Sequence, residues 1–351
     1  MAVAAGVNER VERLRASLEQ PLLVTSGVNV TYLIGFQSSN AALFVDDERL
    51  VLFTDFRYAE AARALDDVEF VQSQRVLLKT VAETLEGRIG FEASAVTYDG
   101  WETLGNGRLE LVPQKGLVER LRAVKDESEQ AAMREAARIT DATFAAFAQE
   151  RFVGRTEREL AWRMEQLFHE NGAQGIAFEI IVGSGPTGAL PHGRPTDRVV
   201  GANETVVVDA GCVFRGYNSD CTRTFATGDL PDDLANAYDV CLRAQLAGLE
   251  AMRPGVAGAD ADAAARDLIE NAELSEKFGH GLGHGIGMLV HELPTARPES
   301  EDVLEPGNAI TCEPGIYLEG RGGVRIEDLV FVTDGEPDVL YDFTKELVTV
   351  R

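Results

Sequence analysis

The sequence is poor in lysine and has no long apolar run. Only five of its 33 basic residues are lysines, against 58 Asp and Glu, and the formal net charge is −25. This excess of carboxylates repels nucleic acid and anionic lipid surfaces, so we expect neither as a partner. It is equally compatible with adaptation to high salt. No stretch reaches the ~18 apolar residues of a spanning helix. The N-terminus has no apolar segment typical of a secretory signal, so we expect a cytoplasmic protein.

Cysteine and histidine are also scarce. The four cysteines, Cys212, Cys221, Cys241 and Cys312, form no CxxC pair, which predicts buried, reduced thiols rather than a zinc or redox motif. None of the five histidines lies before His169. His169 itself falls on a predicted helix beside Leu167 and Phe168, and we do not expect it to be a ligand.

A length of 351 residues suggests about two domains. The first third alternates strand-like and helix-like segments, whereas the chain after Gly172 is mostly strands interrupted by helices near 231–252 and 259–272. Asp126 with Glu129, and Thr156 with Glu159, have the spacing of capping boxes that begin helices. The pattern predicts an α+β fold: a smaller α/β domain over residues 1–124 and a larger domain over residues 125–351.

The segment GSGPTG, residues 183–188, follows a predicted strand and fits the pattern GxGxxG. A dinucleotide site needs a helix to begin at its third glycine. Pro191 and Pro195 stand where that helix would run, so we reject a dinucleotide site. The segment instead predicts a loop that carries His192.

Four carboxylates adjoin apolar strands. Asp209 and Asp220 are symmetric about 214.5, beside the turn FRGY, and Glu313 and Glu327 are symmetric about residue 320, in the turn GRGG. If each pair flanks a hairpin, its carboxylates face each other with Cβ atoms about 4.5–5.5 Å apart. The repeated layout also predicts two related halves.

Carboxylates buried face to face require neutralisation by a cation. Arg223 and Arg325 are candidate partners in structural ion pairs. The alternative is two divalent metal ions, whose separation of about 3.5–4 Å suits bridging carboxylates. We favour the metals because the two hairpins are accompanied by a histidine-rich segment.

That segment, FGHGLGHGIGMLVHE, contains His280, His284 and His291. A spacing of four would suit zinc on a helix, but glycine at every second position disfavours a helix. In an extended chain the pattern places His280 and His284 on one face and bare glycines on the other, where a backbone or ligand approaches closely. An oxygen-rich site with one imidazole suits manganese, cobalt or iron(II) as well as zinc.

Four segments carry a family resemblance, and they occur in this order: DAGCVFRGYNSDCTRTF, FGHGLGHGIGMLVHELP, TCEPGIY and GVRIED. Through them the chain resembles the pita-bread metallopeptidases, specifically the Xaa-Pro branch of aminopeptidase P and prolidase. NVTYLIGFQSSNAALFV and FTDFRY resemble the creatinase-type N-terminal domain. The resemblance implies a pseudo-symmetric antiparallel sheet with helices on one side over residues 125–351, preceded by a creatinase-like domain over residues 1–124.

The resemblance also implies the site. Its metal ligands would be Asp209, Asp220, His284, Glu313 and Glu327, which hold two divalent ions: Mn²⁺ or Co²⁺ in the first place, with Zn²⁺ or Fe²⁺ as alternatives. The catalytic residues around the substrate would be Glu313, His291, His192, His280 and Arg325. A hydroxide bridging the two metals would attack the scissile carbonyl, with Glu313 as the candidate proton acceptor.

The implied activity is hydrolysis of the Xaa-Pro bond at the N-terminus of proline-containing peptides, by a homodimer. One alternative is a prolidase that applies the same chemistry to Xaa-Pro dipeptides only. A methionine aminopeptidase is disfavoured because such proteins usually lack this N-terminal domain. A non-catalytic peptide-binding member of the fold is disfavoured because no ligand position is missing.

Overall fold

The structure of the protein is a computed structural model that describes residues 7–105 and 108–351. Over these residues, none of the helices combines the length and the apolar character that crossing a bilayer requires. The chain divides into two compact units, residues 1–122 and 123–351. The sequence analysis places the domain boundary between residues 124 and 125, and that boundary remains a prediction.

The first unit is built around a mixed sheet with the strand order β4-β3-β2-β1-β5-β6. Its elements are α1 (Val7–Arg15), β1 (Leu22–Val24), α2 (Gly27–Ile34), β2 (Ala41–Val45), β3 (Leu50–Thr54), α3 (Ala59–Arg63), β4 (Glu69–Gln72), α4 (Leu77–Thr84), β5 (Glu86–Glu92), α5 (Tyr98–Gly105), β6 (Arg108–Gln114) and α6 (Leu117–Ala123). β2 and β3 form the hairpin that the run AALFVDDERLVLFTDF predicts, with Val45 paired to Leu50.

The second unit contains four long helices and a series of short strands. Its elements are α7 (Glu127–Phe147), α8 (Glu157–Glu170), β7 (Gly175–Ile176), β8 (Ile181–Ser184), β9 (Thr205–Ala210), β10 (Cys212–Phe214), β11 (Tyr217–Asn218), β12 (Cys221–Ala226), α9 (Asp232–Ala251), α10 (Gly258–Asn271), β13 (Gly283–Gly285), β14 (Glu292–Ala296), β15 (Ala309–Cys312), β16 (Gly315–Leu318), β17 (Gly322–Arg325), β18 (Asp328–Phe331), β19 (Asp338–Val339) and β20 (Val348–Thr349).

Both predicted capping boxes are present. The Asp126 side chain accepts from the Glu129 amide at the start of α7, and the Glu129 carboxylate accepts from the Asp126 amide. Thr156 and Glu159 make the reciprocal pair at the start of α8. Each box satisfies amides that have no partner within the helix, which is why both helices begin at these residues.

The second unit has two apolar cores, one in each half. α7 and α8 pack on β8, β9 and β12 through a phenylalanine cluster that includes Phe147, Phe152 and Phe225. α9 and α10 pack with β13, β15 and β18 around Leu282, Ile310 and Val330. Helices packed on mainly antiparallel strands confirm the predicted α+β class, and β12 with β20 adds one parallel pair.

The first carboxylate hairpin corrects the predicted register. Asp209 on β9 lies opposite Thr222 on β12, not opposite Asp220. The hairpin turns at Arg215 and Gly216, whose φ values of 50° and 83° are those of a two-residue turn centred further along the chain than predicted. Asp220 is two residues before Thr222 and therefore shares its face of the strand, so the two carboxylates are diagonal neighbours.

The second hairpin has the predicted register. Cys312 pairs with Asp328 and Gly315 with Arg325, so Glu313 and Glu327 continue a ladder centred on Gly320. Gly320 has a φ of 71°, the left-handed conformation that glycine adopts at low cost in a turn. The two hairpins bring four carboxylates to one region of the unit.

Candidate active site

A cleft of about 720 Å³ in the second unit is lined by every residue that the sequence analysis singles out as a site residue. These residues are Asp209, Asp220, His284, Glu313, Glu327, His192, His280, His291 and Arg325. They lie on or next to several strands and in loops, and they are spread over more than 130 positions of sequence. The fold therefore brings the predicted set together.

A potential metal-binding group stands at the floor of the cleft. One donor atom each of Asp220, His284 and Glu327 lies within 4.8 Å of the other two. The His284 ring places Nδ1 3.1 Å from the carbonyl oxygen of Gly285, which can only accept, so Nδ1 carries the proton. Nε2 then faces the carboxylates, 3.2 Å from Glu313 Oε1 and 3.8 Å from Asp220 Oδ2: when protonated it donates to Glu313, and when deprotonated it offers a lone pair to a metal ion.

The carboxylates are crowded and incompletely paired. Among the residues the structure describes, Asp209 Oδ1 and Glu327 Oε1 are buried and have no hydrogen-bond partner. Burial raises the pKa of Asp209, Asp220 and Glu327, and for Asp220 and Glu327 neighbouring carboxylates raise it further. Orphaned buried oxygens next to mutually repelling carboxylates are the arrangement that a bound cation stabilises. The donor set therefore fits divalent metal ions.

Glu313 and His284 shift the pKa of each other. Burial acts to raise the pKa of Glu313, but the hydrogen bond and charge of His284 outweigh it and lower that pKa to about 2. Burial likewise acts to lower the pKa of His284, and Glu313 reverses the effect and raises it. Each member stabilises the charged form of the other, because a carboxylate and an imidazolium attract each other at 3.2 Å.

Two threonines that the sequence analysis did not single out orient these carboxylates. Thr222 Oγ1 donates to Glu327 Oε2 at 2.8 Å, and Thr311 Oγ1 donates to Glu313 Oε1 at 3.1 Å. Thr311 Oγ1 also accepts from the His284 amide at 3.0 Å. Thr222 lies two residues after Asp220, and Thr311 lies two residues before Glu313. Because side chains two apart in a strand share a face, this spacing could have identified both threonines as neighbours of the site.

Of the two arginines considered as structural partners, only Arg325 pairs with one of the four carboxylates. Its Nη2 donates to Asp209 Oδ2 at 2.7 Å, and its Nη1 donates to the hydroxyl of Tyr317 at 2.9 Å. Arg223 instead binds Asp328 at 2.8 Å beneath the site. Ion pairing with arginine thus satisfies one oxygen of Asp209 and leaves the remaining carboxylates for another cation.

The four other histidines differ in burial and partners. His280 lies 2.8 Å from the hydroxyl of Tyr317 through Nε2, and burial lowers its pKa. The His291 ring centroid lies 4.3 Å from that of His284, and burial together with His284 lowers the pKa of His291. His192 is exposed on a loop at the rim of the cleft. His169 is exposed on α8 and does not line the cleft.

The glycine-histidine segment contains no helix, so it is not a helical zinc site, and of its glycine-rich part only Gly283–Gly285 forms a strand, with His280 before it. β13 covers Gly283–Gly285 and pairs with β14 and β15. A Cβ atom on Gly283 would overlap the carbonyl oxygen of Thr311, and one on Gly285 would overlap that of Leu293. The glycines therefore permit a close approach of backbones, which sets His284 beside the strand that leads to Glu313.

The segment GSGPTG is not a dinucleotide site. It leaves β8, which pairs antiparallel with β9, and forms a 3₁₀ helix over Gly185–Ala189. A dinucleotide motif needs a parallel strand–helix–strand unit at this point. The loop that follows carries His192 to the cleft, as predicted.

Comparison with known proteins identifies the family. The sequence profile of metallopeptidase family M24 matches residues 131–334, and that of the creatinase/prolidase N-terminal domain matches residues 10–124. The chain belongs to metallopeptidase family M24. The predicted resemblance and the pita-bread fold with a creatinase-type N-terminal domain are thereby confirmed, and the chain is a metallopeptidase by family.

The similarity of this M24 chain to its relatives covers nearly its whole length. It is 36% identical to an uncharacterized peptidase of Bacillus subtilis, over 97% of this chain and 99% of that protein. It is 31% identical to the Xaa-Pro dipeptidase of Pyrococcus furiosus, over 97% and 100%. Among solved structures, an Xaa-Pro dipeptidase from Bacillus anthracis has a TM-score of 0.94 at 36% identity, covering 98% of this chain and 100% of that one.

An X-Pro aminopeptidase from Thermotoga maritima is also similar to this chain. Its TM-score is 0.87 at 30% identity, with coverage of 97% of this chain and 100% of that one. The solved relatives of this M24 chain therefore include both a dipeptidase and an aminopeptidase by name.

Proposed function

We propose that the protein is a metal-dependent peptidase that hydrolyses the Xaa-Pro bond at the N-terminus of peptides. The observation that carries this proposal is the donor set of the cleft, four carboxylates and one imidazole with two orphaned buried oxygens. The names of the relatives, Xaa-Pro dipeptidase and X-Pro aminopeptidase, support the choice of bond.

The residues that would hold two divalent ions are Asp209, Asp220, His284, Glu313 and Glu327. One donor atom each of Asp220, His284 and Glu327 lies within 4.8 Å of the other two, so these three would hold one ion together. When bound, two divalent ions supply an activated water and Lewis-acid polarisation of the scissile carbonyl. Mn²⁺ or Co²⁺ is the proposed metal, since oxygen donors dominate the set and a single imidazole completes it.

The residues of the chain have separate tasks in the reaction. Glu313, ionised at neutral pH, accepts the proton of the attacking water. His291, beside His284, donates to the oxygen on which negative charge develops. His192 holds the peptide and delivers a proton to the leaving proline nitrogen, which has no N–H in the substrate amide, and His280 helps to position the peptide.

Arg325 acts from the back of the site. Its guanidinium is buried and reaches Asp209 Oδ2 with one nitrogen and the hydroxyl of Tyr317 with another. Tyr317 in turn contacts His280 Nε2. Because the Nδ1 atom of His280 faces the carbonyl of Gly281 at 2.9 Å, Nε2 is the acceptor and the tyrosine hydroxyl donates to it. Arg325 thereby fixes both a carboxylate and a histidine of the cleft.

A dipeptidase is the second candidate, and one observation favours it. Arg297 lines the cleft, is exposed, and makes no ion pair with any residue that the structure describes. The free carboxylate of a dipeptide is the kind of group that a guanidinium binds in two-pronged fashion. An aminopeptidase substrate continues past the proline and has an amide there instead.

A peptide length series tests the function and separates the two candidates. Protein supplied with Mn²⁺ is assayed on Gly-Pro, Gly-Pro-Ala and a longer Gly-Pro peptide, with Gly-Ala as the matched control. Cleavage of the tripeptide and longer peptide supports the aminopeptidase, and cleavage of Gly-Pro alone supports the dipeptidase. Absence of any proline-dependent cleavage, together with less than one metal ion per chain, would rule out both.

We further propose a homodimer in the cytoplasm. The family resemblance supports the dimer, and four free, buried cysteines suit a reducing compartment. Light scattering coupled to size-exclusion chromatography is the test of the dimer. A mass near the 38.1 kDa of one chain would contradict it.

A further inference from the structure

The loop that carries His192 is fastened to helix α8 at both of its ends by one buried carboxylate. Glu157 is the first residue of α8 and has no exposed surface. Its position is about 35 residues before His192 in the sequence, and it does not line the cleft. It belongs neither to the donor set nor to the groups assigned to the substrate.

All the hydrogen bonds of the Glu157 carboxylate lead to the stems of this loop. Oε1 accepts from the Ser184 amide and hydroxyl, each at 2.8 Å, and from the Thr187 hydroxyl. Oε2 accepts from the Thr196 amide at 2.9 Å and from the Thr196 hydroxyl at 2.6 Å. The two oxygens thus hold the incoming stem and the outgoing stem of residues 185–196.

His192 depends on its backbone for its position. Among the described residues its side chain makes no hydrogen bond, and it stands between Thr187 and Thr196. Its neighbours in the loop have ties of their own: the Pro191 carbonyl accepts from Arg325 Nη1 at 3.2 Å, the Gly193 amide donates to the Leu190 carbonyl at 3.0 Å, and Arg194 pairs with Glu179 at 3.1 Å. The histidine is therefore placed by the loop, and the loop is closed at its base by Glu157.

We propose that Glu157 is a positioning residue for His192, acting through the two stems of the loop. The inference rests on the proposed function, in which His192 holds the peptide. An ionised carboxylate suits this task because it offers two oxygens and only accepts, and here five N–H and O–H donors converge on it. Glutamine would present an amide NH₂ to some of those donors and leave them unsatisfied.

The state of Glu157 is consistent with this role. Burial acts to raise its pKa, but the hydrogen bonds from Thr187, Thr196 and Ser184 outweigh burial and lower it. The side chain is therefore a carboxylate at neutral pH, able to accept from both stems.

The test combines a spectroscopic signature with a double-mutant cycle. The full-length variants are E157Q, the milder T196V, and the matched control E159Q, whose glutamate belongs to the same helix turn but bonds only to Thr156. In proton NMR, the ring resonance of His192 is identified by its loss in H192A. We expect this resonance to shift in E157Q and T196V and to stay in place in E159Q.

In kinetics on an Xaa-Pro peptide with Mn²⁺, we expect E157Q to lower kcat/KM by about 10–100-fold, as loss of a supporting hydrogen-bond partner does. The same substitution in the H192A background should cost less than about 3-fold, because the histidine that it positions is already gone. Mn²⁺ affinity, measured by calorimetry, should be unchanged.

Several outcomes would overturn the proposal. An unchanged His192 resonance in both E157Q and T196V would do so, as would an equal loss of activity with and without His192. If E157Q does not fold, T196V decides by the same two readouts. If the wild-type protein cleaves no Xaa-Pro peptide, the proposed function fails, and the resonance alone still decides whether Glu157 positions His192.

Discussion

Across the β9/β12 ladder, Asp209 faces Thr222, whereas Glu313 and Glu327 stand next to the last pair of the β15/β18 ladder, Cys312 with Asp328. The first hairpin thus contributes two carboxylates on a diagonal with a hydroxyl between them. The second contributes two carboxylates beside the end of a ladder. The same plan, a helix pair followed by a carboxylate hairpin, occurs in both halves of the larger unit, but the two copies serve different purposes.

The hydroxyl of Thr222, in the first hairpin, shows how the two hairpins differ. Thr222 donates to Glu327 of the second hairpin and accepts from Arg325 at 3.1 Å. In contrast, Thr311 donates to Glu313 within its own hairpin. The second hairpin therefore depends on the first for the orientation of one carboxylate, while the first draws on the second through Arg325 and Asp209. The halves are joined by these polar contacts, and we expect them to act as one site.

The strongest test of this joint site removes one carboxylate from each hairpin. We expect D220N and E327Q each to lower kcat/KM by about 10³-fold or more and to reduce bound metal, because each deletes an anionic ligand. Activity on an Xaa-Pro peptide and metal content by mass spectrometry are measured, with E319Q in the exposed turn of the second hairpin as control. A variant of one hairpin that keeps a tenth of the activity would mean that the halves are separable.

The threonines give the next largest effect. T222V should weaken Mn²⁺ binding by about 10–100-fold, the usual cost of losing a partner that orients a ligand. T311V should cost less, since Glu313 keeps His284 at 3.2 Å. Calorimetric titration with Mn²⁺ compares the two, and T349V on the exposed part of β20 is the matched control. Equal losses of Mn²⁺ affinity in T222V and T311V would show that the Thr222 hydroxyl, which connects the two hairpins, is no more important for metal binding than Thr311.

The histidine segment of the second half allows a comparison with the His192 loop. On α10, Arg266 donates to the carbonyls of Phe278 and His280 at 3.1 and 2.7 Å, and Asp262 accepts from the Leu282 amide at 2.9 Å. We expect R266M to lower kcat/KM by about 10-fold, because the segment that carries His280 loses two of its ties.

The control for R266M is R243M, an exposed arginine of α9 whose side chain, among the described residues, hydrogen-bonds only to the Asp239 carbonyl of its own helix. The kinetic measurement is repeated in the H280A background, where the cost of R266M should largely disappear. A full cost in that background would show that Arg266 supports the fold and not the histidine.

The smallest expected effect is on the pH dependence of stability. The folded-state pKa of Glu157 is lowered, so its contribution to the free energy of unfolding is present above the ordinary glutamate pKa and is lost as pH falls through the folded value. Denaturant unfolding of wild type and E157Q should therefore converge as the solution is acidified below about pH 4.5. A difference that stays constant with pH would contradict an ionised Glu157 in the fold.

Much of the site could be predicted because its signals are local. The capping boxes at Asp126 and Thr156 depend on residues three apart, and the symmetric placement of Glu313 and Glu327 about a glycine turn reproduces their register. The first register was wrong because a two-residue turn at Arg215 and Gly216 shifts the pairing, and both turn residues adopt a positive φ that the letters alone do not determine.

Other parts of the site could not be read from spacing. Thr222 hydrogen-bonds to Glu327, which is 105 residues away in the sequence, and Thr196 hydrogen-bonds to Glu157, which is 39 residues away. Such pairs are set by how the helices and hairpins pack, and a hydroxyl or a helix-start glutamate has many ordinary local uses. The roles proposed for the ligands and the histidines remain predictions until the variants are measured.

The glycines of β13 limit how this enzyme can change. Gly283 and Gly285 have carbonyl oxygens where a side chain would begin, so substitutions there would displace the strand that bears His284. The rim of the cleft is less constrained, because the side chains of His192 and Arg297 are exposed and neither residue lies in a strand that bears a proposed ligand. New substrate preferences in this protein should therefore arise at the rim, while the floor keeps its composition.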